Sequence, residues 1–189
     1  MLPTIPSRML ACLLLVCLAL GVPLAAGSQN GQEAEDELKA AVVLSFLRYG
    51  EWHAPLPPNA PLTVGVIGRT AFANVLRKSL EGKTANEHPL RVVDLKTPAE
   101  SHGCAVVYFA DDKTLDAKAA LQSIAGEHLL AIGEAREFLD WGGAIRLFVL
   151  DGHITFEFDL EALDRCAVNI SSRLLRFGQN RNPKKGDRL

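Results

Sequence analysis

Apolar and polar positions change period several times along the chain, and each change marks an element. From about Ala34 to Trp52 apolar residues predominate. Leu38, Ala41, Val42, Val43, Leu44, Phe46, Leu47 and Tyr49 cover most of a helical projection. Only Ser45, Arg48 and Glu51, three residues apart, form a polar stripe. That pattern predicts one helix, buried against its own sheet or against a partner. The run "HAPLPPNAP" ends it, because proline removes a donor and disfavours helix at the residue before it.

From Leu62 the grammar becomes strand, glycine, helix. "LTVGVI" reads as a strand, Gly68 turns, Thr70 can cap, and Phe72, Val75, Leu76 and Leu80 recur at helical spacing. "HPLRVVDL" and "CAVVYFA" predict two more strands, the second apolar enough to be covered on both faces. "DDKTLDAKAALQSIAGE" predicts a capped helix closed by Gly126, and "HLLAIGEAREFLDWGG" repeats strand, glycine, helix. "AIRLFVL" and "HITFEFDL" flank Asp151-Gly152, a hairpin signal. "NISSRLLRFG" predicts a short closing helix. Together these predict an α/β fold, a Rossmann-like sandwich. Its mainly parallel sheet is flanked by helices and ends in a C-terminal antiparallel hairpin.

The first residues read differently. "MLPTIPSRMLACLLLVCLALGVPLAAGSQ" holds one Arg, an apolar run and then small residues, the layout of a secretory signal peptide over residues 1–27. The run is about 14 residues, where a spanning helix needs roughly 20. An uncleaved anchor is the alternative. Cys12 and Cys17 lie inside the run rather than after it, which argues against a lipid anchor. The predicted domain runs from 33 to 178, and the basic, Pro- and Gly-containing end from 179 to 189 reads as a flexible tail.

Charge excludes little but points away from nucleic acid. The whole chain carries 20 basic and 22 acidic residues; losing Arg8 with the leader leaves 19 against 22. The exported part keeps Cys104 and Cys166. In an oxidising compartment two cysteines most simply form one disulfide, the alternative being two buried thiols.

Catalytic chemistry finds no purchase. "VIGRTAF" and "AIGEARE" each place one Gly at a strand end before a helix, short of G-x-G-x-x-G. They leave room only for a weak anion site near Arg69 and Thr70. The five His form no i, i+4 pair, and His102 near Cys104 lacks a second ligand pair. Glu157 and Asp159 share a strand face with no catalytic partner, and no base stands beside Ser171 or Ser172. "NIS" at Asn169 fits a glycosylation acceptor only in a eukaryotic secretory pathway. No catalytic residue, metal or cofactor is assigned.

Three segments together resemble the YfiR-like family of periplasmic proteins. "LKAAVVLSFLRYGEWHAP" is similar to its opening helix running into "E-W" and Pro. "LTVGVIGRTAFANVLRKSLEGK" is similar to its next strand–Gly–helix unit. "GGAIRLFVLDGHITFEFDLEALDRCAVNISSRLLRFG" is similar to its close. Asp159 stands where the family tends to have Asn. The resemblance implies a repressor, not an enzyme. Such a protein binds the periplasmic sensory part of a membrane-bound diguanylate cyclase and lowers cyclic di-GMP and biofilm formation. An outer-membrane lipoprotein or a redox change releases it, and homodimers and disulfides are typical. The expected partner contacts are Arg48, Glu51 and Trp52 on the first helix, with Arg173 and Arg176. A small-ligand domain, binding a nucleotide or amino acid through Arg69, Thr70 and Arg173, is the alternative.

Overall fold

The computed structural model describes residues 27–52, 57–111, 115–166 and 168–181. The expected signal peptide lies outside them, apart from Gly27. The chain divides into two compact units, Met1–Gln32 and Glu33–Leu189, and the second holds the sheet and the elements that cover it.

Helix α1 (Gly27–Tyr49) stops three residues before the predicted end. Gly50–Trp52 is strand β1, antiparallel to β9 (Val168–Ile170), with Glu51 opposite Asn169. The reason is steric and local. A Cβ at Gly50 would stand 2.8 Å from the Phe46 carbonyl oxygen and 2.9 Å from a Val168 methyl, so only glycine lets the strands approach. The Trp52 indole nitrogen then donates to the Leu47 carbonyl at 3.3 Å, satisfying one of the acceptors a helix end leaves open.

The main sheet has eight strands in the order β10-β8-β7-β6-β5-β2-β4-β3. Strands β2 (Leu62–Ile67), β4 (His88–Leu95), β5 (Val106–Phe109), β6 (Leu130–Gly133) and β7 (Ile145–Leu150) run parallel. Strand β8 (His153–Phe158) pairs antiparallel with β7 across Asp151-Gly152, and β3 (Thr84–Ala85) antiparallel with β4. Strand β10 (Gln179–Asn180) lies parallel to β8. This strand takes up the first two residues of the expected tail, of which 182–189 lie outside the described residues. The fold is α/β with a mixed, mostly parallel sheet.

Each face of the sheet buries its own apolar cluster. On one, Ala40, Val43, Phe46 and Leu47 of α1 meet Phe72, Ala73, Leu76 and Leu80 of α2 (Thr70–Leu80) over Val64, Val106, Ile132 and Phe156. Phe46 meets Phe156 edge to face with ring centres 5.1 Å apart. On the other face, α3 (Ala117–Ser123) sets Ala120 and Leu121 against Val107, Phe109 and Phe138. Each fully buried Phe or Leu contributes about 1.5–3 kcal/mol. The helix expected after β6 is a series of turns. They wrap the Phe138 ring, which fills the space beside Gly133 and Gly143: a Cβ at either would come within 2.4 Å of it.

The closing segment is mixed too. Helix α4 (Leu160–Arg165) starts at Asp159, whose carboxylate accepts from the Ala162 amide at 2.9 Å. After β9, Ser171 caps the short helix α5 (Ser172–Leu175).

Candidate functional site

Two places on this fold collect the chemistry the sequence singled out. The first is the carboxyl edge of the parallel strands. Strand β2 leads through α2 to β4 on one side, and β4 leads to β5 on the other. At such a reversal the strand ends diverge, and doubly wound sheets bind ligands there. Gly68 makes the turn with φ +103°, and a Cβ there would meet the Ala110 carbonyl oxygen at 2.4 Å. Arg69 follows as the N-cap residue of α2 with no side-chain cap, so Thr70 is the first helical residue rather than the cap.

The expected anion site at Arg69 is filled by the chain itself. The Arg69 guanidinium donates to both carboxylate oxygens of Asp36 on α1, at 2.7 and 2.6 Å. One turn on, Lys39 donates to Glu134 at 2.5 Å and pairs with Glu35 at 2.6 Å. The Tyr108 hydroxyl donates to the second oxygen of Glu134 at 2.9 Å. Its ring stacks on Phe72 at 4.3 Å. Asp36 and Lys39 are buried in a helix that reads as apolar.

Burial by itself lowers the Lys39 pKa, but the hydrogen bonds to Glu134 and Glu35 outweigh it and hold the ammonium above its usual range. The Arg69 guanidinium is likewise stabilised in its charged form, chiefly by Asp36. Burial, with Glu134's charge, pushes the Tyr108 phenol well above its ordinary value. The charges of Asp36, Lys39, Arg69 and Glu134 are thus met from within the chain.

The second place is where α1 ends. The β1–β9 pairing brings Tyr49 beside the α5 segment, and the Ser171 amide donates to the Tyr49 carbonyl at 3.2 Å. Tyr49, Ser171, Arg173, Leu174 and Phe177 line an open cleft of about 470 Å³. Tyr49 is 61% exposed and Phe177 77% exposed. Of the residues expected to make contacts, Arg48, Glu51, Arg173 and Arg176 are exposed on the two segments that meet here. Trp52 is half-buried, packs against the core and closes the helix end. Tyr49 and Phe177 escape sequence reading, because periodicity assigns Tyr49 to the core and nothing marks Phe177.

Cys104 and Cys166 are free thiols, in place of the expected disulfide. Cys104 packs against the cluster around Val107, whereas Cys166 packs against the cluster around Leu163. The Cys166 thiol donates to the Ala162 carbonyl at 3.3 Å. Burial pushes it up to about 11 despite the Ala131 amide and Arg165, and burial together with Glu127's charge raises Cys104. Neither is poised as a nucleophile. No cluster of His, Cys, Asp and Glu fit to hold a metal occurs among the described residues.

Comparison with known proteins speaks to family and fold. A family model described as YfiR/HmsC-like matches residues 36–179, from Asp36 of the buried network to the last strand. Among solved structures, a conserved domain protein from Vibrio cholerae O1 biovar El Tor str. N16961 superposes with TM-score 0.53 at 12% identity. The match covers 77% of this chain and 59% of that one, so it speaks for the fold alone.

Proposed function

The chain belongs to the YfiR/HmsC-like family, and from that premise we propose that it is a periplasmic regulatory protein. It binds the periplasmic sensory domain of a membrane-bound diguanylate cyclase and holds that enzyme's output down, and with it cyclic di-GMP and biofilm formation. The observation that carries the reading is the exposed Tyr49–Phe177 surface, built from two of the three segments that carry the family resemblance. Export would place this surface in the right compartment. Among the described residues no helix is long and apolar enough to cross a membrane.

The mechanism is population shift. A bound protein moves the cyclase toward its inactive state only by its differential affinity for that state. A shift from mostly active to mostly inactive needs a preference of about 10⁴-fold. Release follows when a competitor, such as an outer-membrane lipoprotein or a second copy of the chain, covers the same surface. The direct test is titration of the exported chain with the periplasmic domain of a membrane diguanylate cyclase from the same genome. A saturable complex supports the proposal, and no binding with or without reductant removes it.

A second reading rests on the cleft. At about 470 Å³, with Arg173 at its wall, it has room for a small acidic ligand. Such a ligand would raise the melting temperature in proportion to occupancy. A panel of nucleotides and amino acids without any shift would exclude it.

A further inference from the structure

We infer that this surface recognises an acidic, apolar segment of the partner protein. The inference rests on the proposed function and adds the chemistry of the contact. Arg69, Arg77, Arg146 and Arg181 are each paired with a carboxylate. Among the described residues, Arg48, Arg173 and Arg176 have no side-chain ion pair or hydrogen bond, although they lie in a chain of net charge −2. All three are exposed, on the two segments joined by the β1–β9 ribbon. Within 48–52 and 168–177, Glu51 is the one acidic residue.

Beside Arg173 in the cleft stand the two most exposed aromatic side chains, Tyr49 and Phe177, with Leu174 in the wall. Burying Phe177 against solvent-excluding neighbours gives a contact its affinity, and guanidinium groups set its orientation and partner choice. A basic segment would meet three uncompensated positive charges. A purely polar one would leave the aromatic rings wet. The complement is a segment with Asp or Glu spaced around apolar or aromatic residues.

The experiment is calorimetric titration of the exported chain with the same cyclase domain, at 50 and 500 mM NaCl. Wild type is compared with R173E/R176E, F177A and R91E. Arg91 is an exposed arginine on β4, likewise outside any ion pair among the described residues, and controls for charge reversal away from this surface. Thermal melting verifies that each variant folds. Tenfold or greater weakening by salt, by R173E/R176E and by F177A, with R91E near wild type, is the expected result. Partial rescue of R173E/R176E by acid-to-Lys changes in the cyclase domain would identify the acidic segment. Tight binding that ignores salt and both sets of substitutions overturns the inference while leaving the regulatory proposal standing. Absence of binding by wild type overturns both.

Discussion

Replacing Lys39 by Met tests whether the buried charge network holds the first helix on the sheet. The side chains of Lys39 and Glu134 are 4% and 9% exposed, and their charged atoms are 2.5 Å apart. Met keeps the stem's volume and removes the ammonium. Glu134 then retains the Tyr108 hydroxyl but loses its counter-charge, whereas Glu35, at 33% exposure, can turn to water. Breaking one side of a buried pair costs about 3–5 kcal/mol, most of it from the charge left behind. For a domain of this size each kcal/mol is worth about 2–4 °C. The K39M variant should therefore melt about 6–20 °C below wild type. In K39M/E134Q the neutral amide still accepts from Tyr108 and no charge is stranded, so the double variant should recover at least 1–2 kcal/mol relative to the sum of the single changes (a coupling within the usual range for contacting residues). Urea melts with unchanged slope would confirm that the native state alone is altered. A K39M cost under about 1 kcal/mol, or strict additivity, would refute the reasoning.

The same geometry sets three further outcomes. Lys39, Tyr108 and Cys166 all hold their protons more tightly folded than unfolded. Their contributions are therefore intact below the ordinary values of 10.5, 10.0 and 9.0 and fade as pH rises through the folded ones. Denaturant melts should weaken from about pH 9, and C166S should remove part of the earliest loss, which Cys104 shares; a flat profile to pH 11 would contradict this. Both thiols should react with Ellman's reagent in denaturant without prior reduction, and slowly in the native protein, with reductant leaving the melt unchanged. D159A should cost about 1 kcal/mol in urea melts through loss of the helix cap, whereas D159N should lie within a few tenths of wild type.

That last contrast bears on what the sequence could tell. Asp159 departs from the family's usual Asn, which poses the question of a lost amide donor. The structure uses the side chain as an acceptor from the Ala162 amide, a role either residue fills. The unit from Leu62 to Leu80 is legible because its signals are local: a short, mostly apolar run, a glycine turn, then period near 3.6. The end of α1 is not, because the partner that turns Gly50–Trp52 into a strand lies at 168–170, far along the chain. The turns around Phe138 read as helix for the same reason, since their conformation is set by how one ring packs on two glycines. Asp36 and Lys39 leave a signal that apolar counting passes over: charged residues three apart ahead of a long apolar run. Arg69, expected to await an anion, has one supplied from within.

The central claim is that the Tyr49–Phe177 surface lets this protein restrain a diguanylate cyclase. Its most direct test is cyclic di-GMP synthesis by the full-length cyclase in nanodiscs, where added protein can reach the periplasmic domain. Wild-type protein should lower the rate saturably. The R173E/R176E and F177A variants should need at least tenfold more protein for the same effect. A rate unchanged at saturating wild-type protein would contradict the account.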